Sequence, residues 1–134
     1  MALQFEAALS TAIILFAHGS RVESANEAVR KVAAEVASAG GYPLVEAAFL
    51  ELGKPDLAGA VSAIIARGAK RVVVIPYFLT MVTHLRRDLP RLIDGIAVAH
   101  ADVDIRITPP LGGHPALVKA LLDLAEHGIG RVSI

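Results

Sequence analysis

Four short apolar runs, each followed by a stretch whose apolar residues return every three or four positions, dictate what this chain can fold into. "TAIILFA" (11–17) is continuous and rich in β-branched residues, the pattern of a strand covered on both faces. Val22, Ala25, Val29, Val32, Ala33 and Val36 then recur at helical spacing, with Glu23, Glu27, Lys31 and Glu35 opposite, until Gly40 and Gly41 end the helix. "LVEAAFLEL" (44–52) reads as a second strand, and Pro55 opens a helix carrying Leu57, Ala60, Val61, Ile64 and Ile65 up to Gly68. "RVVVIPYF" (71–78) is the third and most apolar strand, with a helix expected within 84–94. "DVDIRIT" (102–108) alternates strictly, as an edge strand with one wet face does, and Pro115 starts a last helix with Leu117, Ala120, Leu121 and Leu124, capped near Gly128.

The order βαβαβαβα implies right-handed crossovers and a parallel sheet with helices on both faces. The expected architecture is an α/β three-layer sandwich with a four-stranded parallel sheet of order 2-1-3-4, forming one domain over residues 1–134. Composition agrees: 54% of residues are hydrophobic and 19% charged, which excludes disorder. Cysteine is absent, which removes disulfides and thiol chemistry. The formal net charge is zero, so no global field draws the chain to nucleic acid or an anionic membrane. No apolar stretch nears the roughly 20 residues that span a bilayer, and the segment before Ala17 lacks the Lys or Arg of a signal peptide. A soluble cytoplasmic protein is expected.

Chemistry is sought beyond the carboxyl ends of the strands, where such sheets bind ligands. His18 ends the first strand in "FAHGSR", Glu51 ends the second, and His84 heads the helix after the third; 33 residues separate each from the next, one βα unit apiece. Two imidazoles and a carboxylate on one rim form a plausible ligand set for a divalent first-row metal, and three protein ligands leave positions open. Each residue alone has a plainer reading as a cap or a solvated charge; their coincidence on one rim gives the pattern its weight. His114 in "LGGHPAL" reads first as a helix N-terminal residue, while His100 lies at the opposite end of the sheet and His127 in the last helical turn. A phosphate-binding turn at "AHGS" lacks the Walker and GxGxxG patterns.

"FAHGSR", "EAAFLELGKPDL", "VVVIPYFLTMVTHLRRDLP" and "PPLGGHPALVKAL" together resemble the small sirohydrochlorin chelatases, the class II chelatases of CbiX/SirB type, from about residue 12 to 127. The resemblance implies a chelatase-like fold and a His–Glu–His metal site, which by motif falls on His18, Glu51 and His84, the catalytic and metal-binding set. It implies a lyase that inserts a divalent metal, cobalt first, or ferrous iron or nickel, into the tetrapyrrole sirohydrochlorin for cobalamin or sirohaem synthesis. The metal (Co²⁺, Fe²⁺ or Ni²⁺) is then a substrate, and no organic cofactor is expected. Imidazole both ligates and titrates near neutrality, which suits a reaction that frees two protons from the macrocycle; Glu51 would add a ligand or act as a base. Arg21, Lys54, Arg86 and Arg87 on the same rim would meet the substrate's carboxylates, with Tyr77, Phe78, Leu79 and Met81 as an apolar wall. A homodimer is expected, with no nucleic-acid or membrane partner.

Relatives commonly carry a glycine shortly before the second histidine; here "FLTMVTH" places Val82 there. A positive φ at that position would strain a β-branched residue. A non-catalytic metal- or tetrapyrrole-binding protein derived from a chelatase is therefore the alternative. An unrelated flavodoxin-like module is a third reading, one without dependence on His18 or His84.

Overall fold

The structure, a computed structural model, describes residues 10–130, except for the side chain of His84. Its elements alternate as the apolar periodicity requires: β1 (Thr11–Ala17), α1 (Glu23–Gly40), β2 (Leu44–Phe49), α2 (Leu57–Ala66), β3 (Arg71–Pro76), α3 (Thr83–Ala99), β4 (Asp104–Ile107) and α4 (Pro115–Gly130). The four strands form one parallel sheet in the order β2-β1-β3-β4. Because β1 lies inside the sheet, six of its seven residues are buried, which is why its sequence is apolar without alternation.

Alternation along the strands divides these residues between two faces. Ala12, Ile14 and Phe16, with Val72 and Val74 of β3, pack against α2 through Leu57, Ala60, Val61 and Ile64 and against α3 through Leu85, Leu89, Ile93 and Ile96. Ile13 and Leu15 point the other way, onto Ala33 of α1. The fourth helix departs from the expected packing. None of its residues is buried, and Leu117 alone is half-buried.

Several boundaries differ from the sequence reading, each for a local reason. β2 and β3 stop at Phe49 and Pro76, ahead of 52 and 78, because the chain beyond them turns out of the sheet to build its rim. α2 begins at Leu57, after Pro55; the Asp56 carboxylate accepts from the Gly59 N–H at 2.8 Å and sets the start. α3 continues past Gly95 to Ala99, since burying Ile93 and Ile96 outweighs the roughly 1 kcal/mol that a helical glycine costs. β4 is only Asp104–Ile107, and α4 runs through Gly128 to Gly130. No helix among the described residues is long and apolar enough to cross a membrane.

Candidate metal centre on the carboxyl edge of the sheet

The turn after β1 and the loop after β2 are laced together. Leu50 N–H donates to the Ala17 carbonyl at 2.9 Å and Glu51 N–H to the His18 carbonyl at 3.0 Å, so the strand pairing extends just far enough to bring Glu51 beside His18. Gly19 makes the approach possible. Its φ is +95°, and a Cβ there would lie 1.7 Å from the Glu51 carbonyl oxygen.

A buried amide holds both loops from below. Asn26, in the second turn of α1, is 1% exposed. Its Oδ1 accepts from Ser20 N–H at 2.8 Å, while its Nδ2 donates to the Ser20 carbonyl at 2.8 Å and to the Leu52 carbonyl at 3.2 Å. Leu52 sits at φ +58°, a left-handed conformation that costs a non-glycine residue about 1–3 kcal/mol, one residue beyond Glu51. The clamp is itself braced: Nδ2 lies 3.2 Å from Glu23 Oε2, Arg30 donates to Glu23 at 2.6 Å and to the Lys54 carbonyl at 3.0 Å, and its guanidinium lies over the Phe49 ring. The Arg30 hydrogen bond, and then that from Asn26, hold the Glu23 carboxyl below its ordinary range. Sequence reasoning missed Asn26, although the signal was present. It lies on the inward-facing stripe of α1 with half-buried Val29 and buried Ala33, where a polar side chain calls for partners.

Above this base, His18 Nε2 stands 3.5 Å from Glu51 Oε1, with both side chains more than half exposed. His18 Nδ1 lies 3.2 Å from the Gly19 carbonyl oxygen, which can only accept, so the tautomer that makes this hydrogen bond is the one protonated on Nδ1. In the neutral ring Nε2 then turns its lone pair toward the carboxylate. Two electron-rich atoms facing each other across an open rim invite a proton or a cation.

The third expected ligand, His84, begins α3 one residue after Thr83, on the same edge; its side chain lies outside the described residues. Val82 precedes the helix at φ −65° and ψ 152°, angles open to any L-residue, so the feared strain is absent. Arg21, Lys54, Arg86 and Arg87 are all exposed on the strand-end loops and the first turns of α3, and their side chains form no ion pair or hydrogen bond among the described residues. The expected apolar wall is only partly there. Phe78 and Met81 pack into the core and Tyr77 against Phe49, leaving Leu79 exposed; Val22, Leu52 and Val82 join it on this edge. His114 is a helix cap whose Nδ1 accepts from Ala116 N–H at 3.0 Å, and His100 lies by Ser62 at the amino end of the sheet.

The sequence pattern of the CbiX family matches residues 12–127. The chain is 36% identical over 120 residues to a chloroplastic sirohydrochlorin ferrochelatase of Arabidopsis thaliana, covering 90% of this chain and 53% of that one. It is 30% identical to a sirohydrochlorin cobaltochelatase of Methanocaldococcus jannaschii, covering 85% of this chain and 96% of that one. The fold matches the sirohydrochlorin chelatase SirB of Bacillus subtilis subspecies spizizenii, solved in complex with cobalt, with a TM-score of 0.78 and 27% identity over 90% of this chain and 51% of that one. The chain thus spans about half of the plant and Bacillus proteins and nearly all of the archaeal one. A parallel sheet in the order β2-β1-β3-β4, an HGSR turn pinned against a strand-end glutamate, and a match from residue 12 to 127 place this chain in the CbiX family.

Proposed function

We propose that the chain is a metallochelatase that inserts a divalent metal into sirohydrochlorin, cobalt first and ferrous iron or nickel next, in cobalamin or sirohaem synthesis. The observation that carries this reading is the opposed pair on the rim, His18 Nε2 and Glu51 Oε1 at 3.5 Å. Donors about 2.1 Å from a tetrahedral ion lie about 3.4 Å apart, so the pair is spaced for a shared cation without rearrangement. His84, at the head of α3, is the third ligand in this reading.

The residues divide the work by chemistry. The Gly19 carbonyl fixes the His18 tautomer and aims Nε2 outward, as an orienting partner does for a metal-binding imidazole. Half-exposed ligands hold the ion as a substrate to be released, and Glu51 offsets part of its charge and stands ready to take a proton from the macrocycle. Unpaired Arg21, Lys54, Arg86 and Arg87 receive the substrate's carboxylates, and Leu79, Val82, Val22 and Leu52 offer apolar surface to the ring. Attraction through exposed cations weakens with salt. No organic cofactor takes part.

The working form in this reading is a cytoplasmic homodimer of one-domain subunits. A tetrapyrrole is wide compared with one sheet edge, and two of the matched proteins are about twice as long as this chain.

The test is an anaerobic absorbance assay with sirohydrochlorin and Co²⁺, Fe²⁺ or Ni²⁺ in turn, against a His18→Ala control. Metal-dependent spectral change with the native chain and none beyond background with the folded variant is the expected result. Equal rates for the two would overturn the assignment.

A further inference from the structure

One residue on the rim sits in a conformation that its own side chain opposes and that its surroundings do not reward. Leu52 has φ +58°, the left-handed region, where glycine or asparagine is at ease and a branched side chain crowds its backbone. Asn26 Nδ2 holds it there by donating to the Leu52 carbonyl at 3.2 Å, a bond that any residue at 52 would accept equally well. Nor does packing call for leucine. The side chain is 49% exposed and belongs to no core cluster among the described residues. Glycine stands one place later instead, at Gly53, where a Cβ would come 2.8 Å from the Phe49 ring.

The neighbours of Leu52 point to what the side chain meets. Glu51, whose Oε1 stands 3.5 Å from His18 Nε2, precedes it, and Lys54 follows two places on; all three are exposed on the strand-end loop. Within four residues the loop thus offers a metal ligand, an apolar side chain and a cation. A tetrapyrrole offers the complementary series from its centre outward: ring nitrogens for the ion, an apolar face, and carboxylates at the edge. Strained backbone persists at sites where the surroundings hold it for a task. Here the clamp does the holding, and the only group that the strain brings to the rim is the leucine side chain.

We propose that Leu52 seats the macrocycle: its side chain meets the face of the ring beside the metal pair, and the left-handed backbone is kept, despite its strain, because it carries that contact. The inference rests on the chelatase reading above and adds which residue sets affinity for the ring as distinct from affinity for the ion. Stability and substrate affinity then pull in opposite directions at this one position. A glycine at 52 fits the same dihedral angles and leaves the Asn26 clamp intact, so it relaxes the backbone while removing the contact.

The full-length chain and its Leu52→Gly, Leu52→Asn and Leu52→Met variants would be compared by three measurements: melting temperature, cobalt binding by calorimetry, and anaerobic absorbance titration with metal-free sirohydrochlorin. Leu52→Gly should melt at the native temperature or up to about 4 °C above it. It should hold cobalt as the native chain does, yet bind sirohydrochlorin at least about tenfold more weakly, the loss expected for one buried apolar side chain. Leu52→Asn, also at ease in this region, should lose the ring alike, while Leu52→Met, which keeps an apolar side chain on the strained backbone, should recover most of the affinity. Native ring affinity in Leu52→Gly overturns the proposal, because no contact was lost. A lower melting temperature overturns it too, because the leucine then serves the fold. Parallel loss of cobalt and ring affinity also overturns it, since Leu52 would then act through Glu51. Each of these leaves the chelatase reading standing. A native chain that binds cobalt but neither binds nor metallates sirohydrochlorin brings down that reading and this inference together.

Discussion

The two sides of the carboxyl edge hold their side chains by different means. On the β1–β2 side a buried amide from α1 grips both loops, a left-handed leucine is held in place, and His18 and Glu51 stand on top. On the β3 side, turn 77–82 hangs on backbone hydrogen bonds, Tyr77 N–H to Phe16 and Arg86 N–H to Val82, and on the edge-to-face contact of Phe78 with Phe16; Leu79 and Val82 stay exposed. The first side specifies positions and the second supplies surface. Point changes on the first should therefore spread, and those on the second should stay local.

The severest test of that contrast is Gly19→Ala. The new methyl would collide with the Glu51 carbonyl at a positive φ, so a loss on the order of 4 kcal/mol is expected by chemical denaturation, together with loss of chelation. His18→Ala should abolish chelation yet change stability by no more than about 0.5 kcal/mol, because the ring is exposed; both are read on one preparation by absorbance and melting. Asn26→Ala leaves buried backbone groups of Ser20 and Leu52 unpaired, for a loss of about 2–3 kcal/mol, and should weaken cobalt binding about tenfold by calorimetry although Asn26 touches no metal. On the other side, Val82→Gly should alter stability by less than about 1 kcal/mol and turnover by less than about twofold, since φ there is −65°. A large gain in turnover would show that this side constrains the reaction after all.

The smallest effect is electrostatic. The folded-state pKa of Glu23 is lowered by Arg30, so this pair's stabilisation is present above the ordinary carboxylate range and is lost as pH falls through the lowered value. Exposure keeps the contribution small. Glu23→Gln should slightly flatten the acid limb of a stability-against-pH curve, and an unchanged limb would remove Glu23 from the bracing of the clamp.

Much of the fold was legible because two periodicities and the crossover rule leave few options; the four strands, their order and the shared edge of His18, Glu51 and His84 follow from them. What escaped depends on long-range partners. Asn26 reads as one more polar residue of "ESANEAV" until its place in the apolar stripe is weighed, and its three backbone partners lie up to 26 residues away. The α3 helix outlasts Gly95 because of core positions that propensity does not see. Amphipathicity in α4 states that one side seeks burial but names no surface to receive it.

The grip of α1 on the turn before it means that the HGSR tetrapeptide is not a portable cassette. Transplanting those residues onto another parallel sheet would carry over the imidazole without the geometry that aims it. A working graft would have to include the second turn of the following helix and the neighbouring strand's exit loop, so the smallest transferable unit is a whole β–α–β segment, residues 11–56.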